Sequence, residues 1–132
     1  MLPNQFHANS MSELLKLDQM REISGLEFMQ GILDGRYPSP PIGKTLGYYL
    51  TEVAEGRVVF SGAPSFDAFN PMGTVHGGWY GTLLDSAMAC AVMTKVPKGS
   101  IYTTLEYKVN IIKPIPQNRQ SHAIGVTNHV GR

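Results

Sequence analysis

From His76 to Lys95 the chain reads as one long helix, and its side chains restrict what can be built around it. The stretch carries Gly81, Ser86, Ala87, Ala89, Cys90 and Ala91, an unusual load of small residues for a surface helix. Small side chains let a curved antiparallel sheet close tightly around such a helix. His76, Gly77 and Gly78 stand at its mouth, and Pro97 and Gly99 close it. A helix start presents unpaired backbone N–H groups and a partial positive charge, suited to polarising a carbonyl or holding an anion. Glycines there let a ligand approach the backbone. Asp85 follows about two turns later at 3.6 residues per turn. Among Leu83, Leu84, Ala87 and Met88, such an acid is costly to bury unless it has a partner or a role.

The rest of the chain reads as an α+β domain. Residues 1–11 are expected to form a poorly ordered lead-in. Ser12 to Leu33 has the apolar spacing of two short helices, with Ser12 as the first cap and Ser24-Gly25 as the break. Tyr37 to Gly43 is rich in proline, which fixes φ and removes donors, and predicts an extended linker. Two strands over 46–53 and 57–61 are joined at Glu55-Gly56, which has hairpin character. A loop over 63–74 leads to the helix. Ile101 to Ile112 is predicted as the longest strand, Pro114 to Arg119 as a turn, and Ser121 to Val130 as a further strand.

Composition narrows the class. With 42% hydrophobic and 16% charged residues among 132, the chain is globular and long enough for a real core. A formal charge of +1 gives no reason to invoke nucleic acid or an anionic membrane. Cys90 stands alone, so no internal disulfide forms, and its place among alanines reads as core packing. The longest apolar run, Ala87 to Met93, is far below the ~20 residues of a membrane span. No secretory signal precedes the domain, so a cytoplasmic location is the default expectation. His122 and His129, seven apart on one strand, would face opposite sides and form no metal spacing with His7. No Gly-x-Ser-x-Gly elbow, Walker-type loop or Cys-x-x-Cys pair is present.

The run Asn70-Pro-Met-Gly-Thr-Val-His-Gly-Gly78, with an acid nine residues after His76, resembles the hotdog-fold acyl-CoA thioesterases of the phenylacetate-degradation (PaaI-like) family. Asn70, Gly73, His76, Gly77, Gly78 and Asp85 fit the family pattern without an insertion. The likeness continues through Thr104 and the segment Leu105 to Pro114, and loosely covers residues 45–131. It implies a hotdog fold, an antiparallel sheet wrapped around a long central helix. Residues 1–44 would be a helical lead-in and Pro-rich linker, and residues 45–132 the hotdog domain. In this family two more antiparallel strands follow the one at 121–130 and fill the sheet beside 101–112. The chain stops at Gly131-Arg132, where the family turns into them, so the resemblance implies a C-terminally incomplete sheet.

The resemblance also implies the chemistry: hydrolysis of an acyl-CoA to a carboxylic acid and CoA, by a homodimer or dimer of dimers. Asp85, from the partner subunit, would activate water or attack the thioester directly. The Gly77 N–H would polarise the thioester oxygen. Asn70 would sit near the thioester or water, oriented by a hydrogen bond from His76. Thr104 would hold the acid or water, with Thr103 as the alternate. Gly78, Trp79 and Phe69 are candidates for substrate contact, although core packing explains Trp79 and Phe69 equally well. No metal or redox cofactor is implied, because CoA is the substrate's own carrier. A non-catalytic acyl-CoA binder and an inactive truncated remnant are the rival readings.

Overall fold

The computed structural model describes residues 1–131. Its helices are α1 (Leu17–Arg21), α2 (Gly25–Leu33), α3 (Pro41–Leu46) and α4 (Gly77–Met93). Its strands are β1 (Tyr48–Ala54), β2 (Arg57–Gly62) and β3 (Ser121–Val126). They form one antiparallel sheet in the order β1-β2-β3. β1 and β2 are a hairpin whose turn uses Gly56 at φ 75°, a left-handed conformation that costs glycine nothing. The ladder slips at Thr51, where a bulge sends the threonine hydroxyl to the Val59 carbonyl at 3.1 Å.

The long helix lies across this sheet, which is the hotdog arrangement. Gly125 of β3 sits directly on Ala87, so closely that a Cβ there would collide with the Ala87 carbonyl, and Ala91 closes in beside it. Small residues on both surfaces therefore set the helix–sheet distance. Leu83, Ala87 and Ala91 of α4 join Tyr48, Leu50, Val58 and Phe60 of the sheet in one core.

The N-terminal helices cover the sheet and helix from another side. Ser24 caps α2 by accepting from the Glu27 N–H at 3.2 Å. The first residue of α2, Gly25, donates to the Val96 carbonyl at 2.9 Å and touches the Met93 carbonyl, so no side chain fits there. Met29 and Ile32 then enter the core.

Four expectations need correction. Ser12 is not a cap: it lies inside a short 3-10 turn, Met11–Glu13, preceded by Ser10. The lead-in is held in place, since buried Gln5 donates to the Leu50 carbonyl at 2.9 Å and Phe6 and Ala8 bond Ser39 through their backbones. The linker is not wholly extended, because Pro41 occupies the first turn of α3, where its missing N–H is no loss. Residues 101–112 form no strand. Their β-branched alternation suits a strand, but a strand exists only through ladder bonds, and no described strand pairs with this segment. It runs instead along α4, with Thr104 beside Asp85, Tyr107 on Gly81 and Ile111 near Gly77.

Candidate active site

Helix α4 carries two groups of polar features, one at its start and one two turns in. His76 is the N-cap, at φ −63° and ψ 139°, and its Nδ1 accepts the Gly78 N–H at 2.8 Å. The imidazole thus fills the place usually given to Ser, Thr, Asp or Asn. The Gly77 N–H, one of the orphan donors of the first turn, has no partner among the described residues. Gly77 is exposed, and the nearest group to a Cβ at this position would be Ile111 Cδ1 at 3.5 Å. A cleft of about 310 Å³ opens there, lined by Asn70, Thr74, Gly77, Tyr80, Ile111 and Lys113.

Asn70 builds the wall of that cleft. Its Oδ1 accepts the N–H groups of Met72 and Thr74 at 3.0 and 3.2 Å, and its Nδ2 donates to Thr74 Oγ1 at 2.8 Å. Gly73 completes the turn at φ 78°. The Asn70 amide therefore fixes the loop that delivers the chain to the helix start. The expected bond between His76 and Asn70 is not made: His76 Nδ1 takes the Gly78 N–H, and the Asn70 amide bonds Met72 and Thr74.

The second group centres on Asp85. The carboxylate is half-buried, less enclosed than its apolar neighbours suggest, and the 101–112 segment that passes beside it is itself mostly exposed. Thr104 Oγ1 donates to Asp85 Oδ1 at 3.0 Å. Of the two candidate threonines it is Thr104, not Thr103, that meets the acid. On the neighbouring face of the helix, Ser86 Oγ and Tyr48 Oη lie 3.0 Å apart. Burial raises the Tyr48 hydroxyl above its ordinary range, and the Ser86 bond partly offsets it. Burial, reinforced by the Asp85 charge, pushes the Cys90 thiol up to about 12. Partial burial likewise raises Tyr102. Cys90 therefore stays a neutral thiol and is no nucleophile.

The substrate-contact candidates separate. Trp79 is a core residue, 2% exposed, whose Nε1 donates to the Leu46 carbonyl at 2.8 Å. Phe69 is half-buried against Phe66, with ring centroids 5.7 Å apart, and its backbone bridges Val75. Gly78 is exposed at the helix mouth under the His76 ring. Lys113 in the helix-start cleft and the Tyr48–Ser86 pair beside Asp85 escaped the sequence reading. Lys113 was visible only as the basic residue before Pro114, and nothing local connected Tyr48 to the helix.

Gly77 and Asp85 are eight residues apart on one helix, about 12 Å at 1.5 Å per residue. A reacting carbonyl must lie about 3 Å from both its oxyanion donor and its attacking group. Within one chain the two groups cannot serve the same carbonyl.

The chain matches the thioesterase superfamily over residues 72–132, which include His76, Gly77, Asp85 and Thr104. No curated protein sequence matches it. Among solved structures it is similar to a phenylacetic acid degradation-related protein from Ralstonia eutropha JMP134, at 25% identity over 80% of each chain with a TM-score of 0.71. It is also similar to a mutant form of the phenylacetic acid degradation protein PaaI from Thermus thermophilus. There the identity is 28% over 70% of this chain and 76% of that one, with a TM-score of 0.63. Motif, superfamily match and fold together give the chain the hotdog fold and make it similar to the PaaI-like thioesterases.

Proposed function

We propose that the protein hydrolyses an acyl-CoA thioester to a carboxylic acid and CoA at two equivalent sites of a homodimer. The relationship to the thioesterase superfamily supports thioester hydrolysis in general. The observation that carries the residue assignment is the Asp85 carboxylate on the central helix, held by Thr104 at 3.0 Å.

The substrate carbonyl oxygen accepts the free Gly77 N–H, whose position at the helix start adds the partial positive charge of the dipole. Asp85 of the other subunit takes a proton from water, and the water oxygen bonds the thioester carbon. The negative charge that develops on the carbonyl oxygen falls on the Gly77 N–H. The C–S bond then breaks, and the CoA sulfur leaves with a proton. A preorganised donor of this kind contributes roughly 3 kcal/mol to the transition state. Thr104 is a positioning residue, since it turns one carboxylate oxygen and leaves the other for water. Asn70 and His76 act through the backbone, by shaping the turn and capping the helix so that the Gly77 N–H faces the cleft. CoA carries phosphates, and Lys113 at the same cleft offers them a cation.

Replacing Asp85 by Asn keeps the size and the Thr104 contact but removes the base. The expected outcome is a folded dimer whose kcat, read by thiol release from acyl-CoA, is lower by about a hundredfold or more. A folded Asp85→Asn protein with near-normal turnover would remove Asp85 from the mechanism.

A further inference from the structure

A cavity of about 230 Å³ lies next to the Asp85 half of the site, and most of its lining comes from residues before the span that matches the superfamily. One wall is Ser86 and Cys90, the residues on α4 that follow Asp85, together with Tyr102, two residues before Thr104. The opposing lining comes from the N-terminal part of the chain: Leu14, Met20, Phe28 and Met29, with Tyr48 of β1. Ser86 directly follows Asp85 in the chain, and its Oγ lies 3.0 Å from Tyr48 Oη at the cavity wall.

The lining decides what can enter. Apolar side chains dominate it, and the Tyr48 and Ser86 hydroxyls already satisfy each other. A charged group such as a phosphate would lose its hydration there without compensation. The Ser39 hydroxyl, on a residue 4% exposed that lines the same cavity, has no partner among the described residues. Size is the second limit. An apolar cavity of about 150 Å³ holds benzene. The present one takes a single ring with a short linker, or a branched chain of similar bulk, and a long straight chain would overrun it.

We propose that this cavity receives the acyl group of the thioester, and that the N-terminal segment through Leu14, Phe28 and Met29 sets its upper size. The inference rests on the hydrolytic reading for the identity of the ligand, but its test does not depend on turnover. Two non-hydrolysable thioethers, S-(3-phenylpropyl)-CoA and S-dodecyl-CoA, would be titrated by calorimetry into the full chain and into two variants. The matching thioesters, 3-phenylpropanoyl-CoA and dodecanoyl-CoA, would be assayed alongside. Leu14→Trp fills the cavity from a half-buried position, and Met29→Ala enlarges it from within.

The wild type is expected to bind the phenylpropyl compound about tenfold or more tighter than the dodecyl one. Leu14→Trp should weaken the phenylpropyl compound by a similar factor, and Met29→Ala should shift preference toward dodecyl. If Met29→Ala fails to fold, Leu14→Trp decides alone. Unchanged affinities in Leu14→Trp, or a wild type that prefers dodecyl, would overturn the cavity assignment while leaving any measured thioester turnover standing. Binding that Leu14→Trp weakens, with neither thioester hydrolysed, would uphold the cavity and overturn the hydrolytic reading. Neither binding nor turnover would overturn both.

Discussion

Thr104 and Cys90 flank Asp85 from different sides, and each makes a separate demand on the surrounding chain. The Thr104 hydroxyl holds one carboxylate oxygen at 3.0 Å, so Thr104→Val should leave a folded protein whose kcat falls about tenfold while KM changes little. Thr104→Ser should recover most of the loss, and Thr103→Val should cost nothing; equal effects at 103 and 104 would mean that the path of the segment, not the hydrogen bond, matters. Cys90 is held neutral by burial first and by the Asp85 charge second, with its thiol pushed up to about 12 from 9.0. The native chain therefore keeps this proton more firmly than the unfolded chain. The sign follows: the stability this supplies is complete below pH 9 and is lost as pH rises from there toward 12. Urea midpoints measured across that range should fall more steeply for the wild type than for Cys90→Ala, and parallel slopes would show that the thiol ionises as freely in the folded state as in the unfolded one.

Helix α4 shows which parts of an element are written locally and which are not. Its length, its small-residue face and its glycine mouth were legible because helix period, capping position and side-chain size are properties of neighbouring residues. The β1–β2 hairpin was legible for the same reason, through Glu55-Gly56. The start of α3 was not, since Pro38, Pro40, Pro41 and Gly43 act as breakers within a helix, yet Pro41 at the first position favours one. The segment 101–112 was misread because a strand is a pairing, and pairing partners lie elsewhere in the chain. Asp85 was singled out by its spacing to His76, but seeing that Thr104 rather than Thr103 meets it needed the path of that segment over the helix. His76 was placed at the helix mouth, and the structure adds that its ring accepts the Gly78 N–H at 2.8 Å. That function can be transplanted. His76→Ala should cost about 1 kcal/mol, the scale of a lost N-cap, while His76→Asn, a good capping residue, should restore the melting temperature and the turnover together. If Asn restores stability but not turnover, the imidazole has a chemical part beyond the cap.

At the scale of the whole molecule the separation of Gly77 and Asp85 dominates. One rigid helix holds them about 12 Å apart, so the site proposed above takes one group from each of two chains. Each group can be removed without disturbing the other. Asp85→Asn deletes the base. Gly77→Pro deletes the N–H at the first helical position, where proline is tolerated. His76 already has the extended conformation required before proline, and a side chain at 77 meets only Ile111 Cδ1 at 3.5 Å. Loss of a single oxyanion donor should lower kcat by about 10²–10³, so each variant alone should be nearly inactive. Mixed in equal amounts and allowed to exchange subunits, they should form heterodimers in which one site has both intact halves and the other has neither. With random pairing, half the dimers are mixed and half their sites work, so about a quarter of wild-type activity should return. A site built within one chain predicts the opposite, because every chain in the mixture would carry one lesion. Heterodimers verified by differential tagging that remain inactive would therefore place Gly77 and Asp85 in different roles from the shared site proposed here.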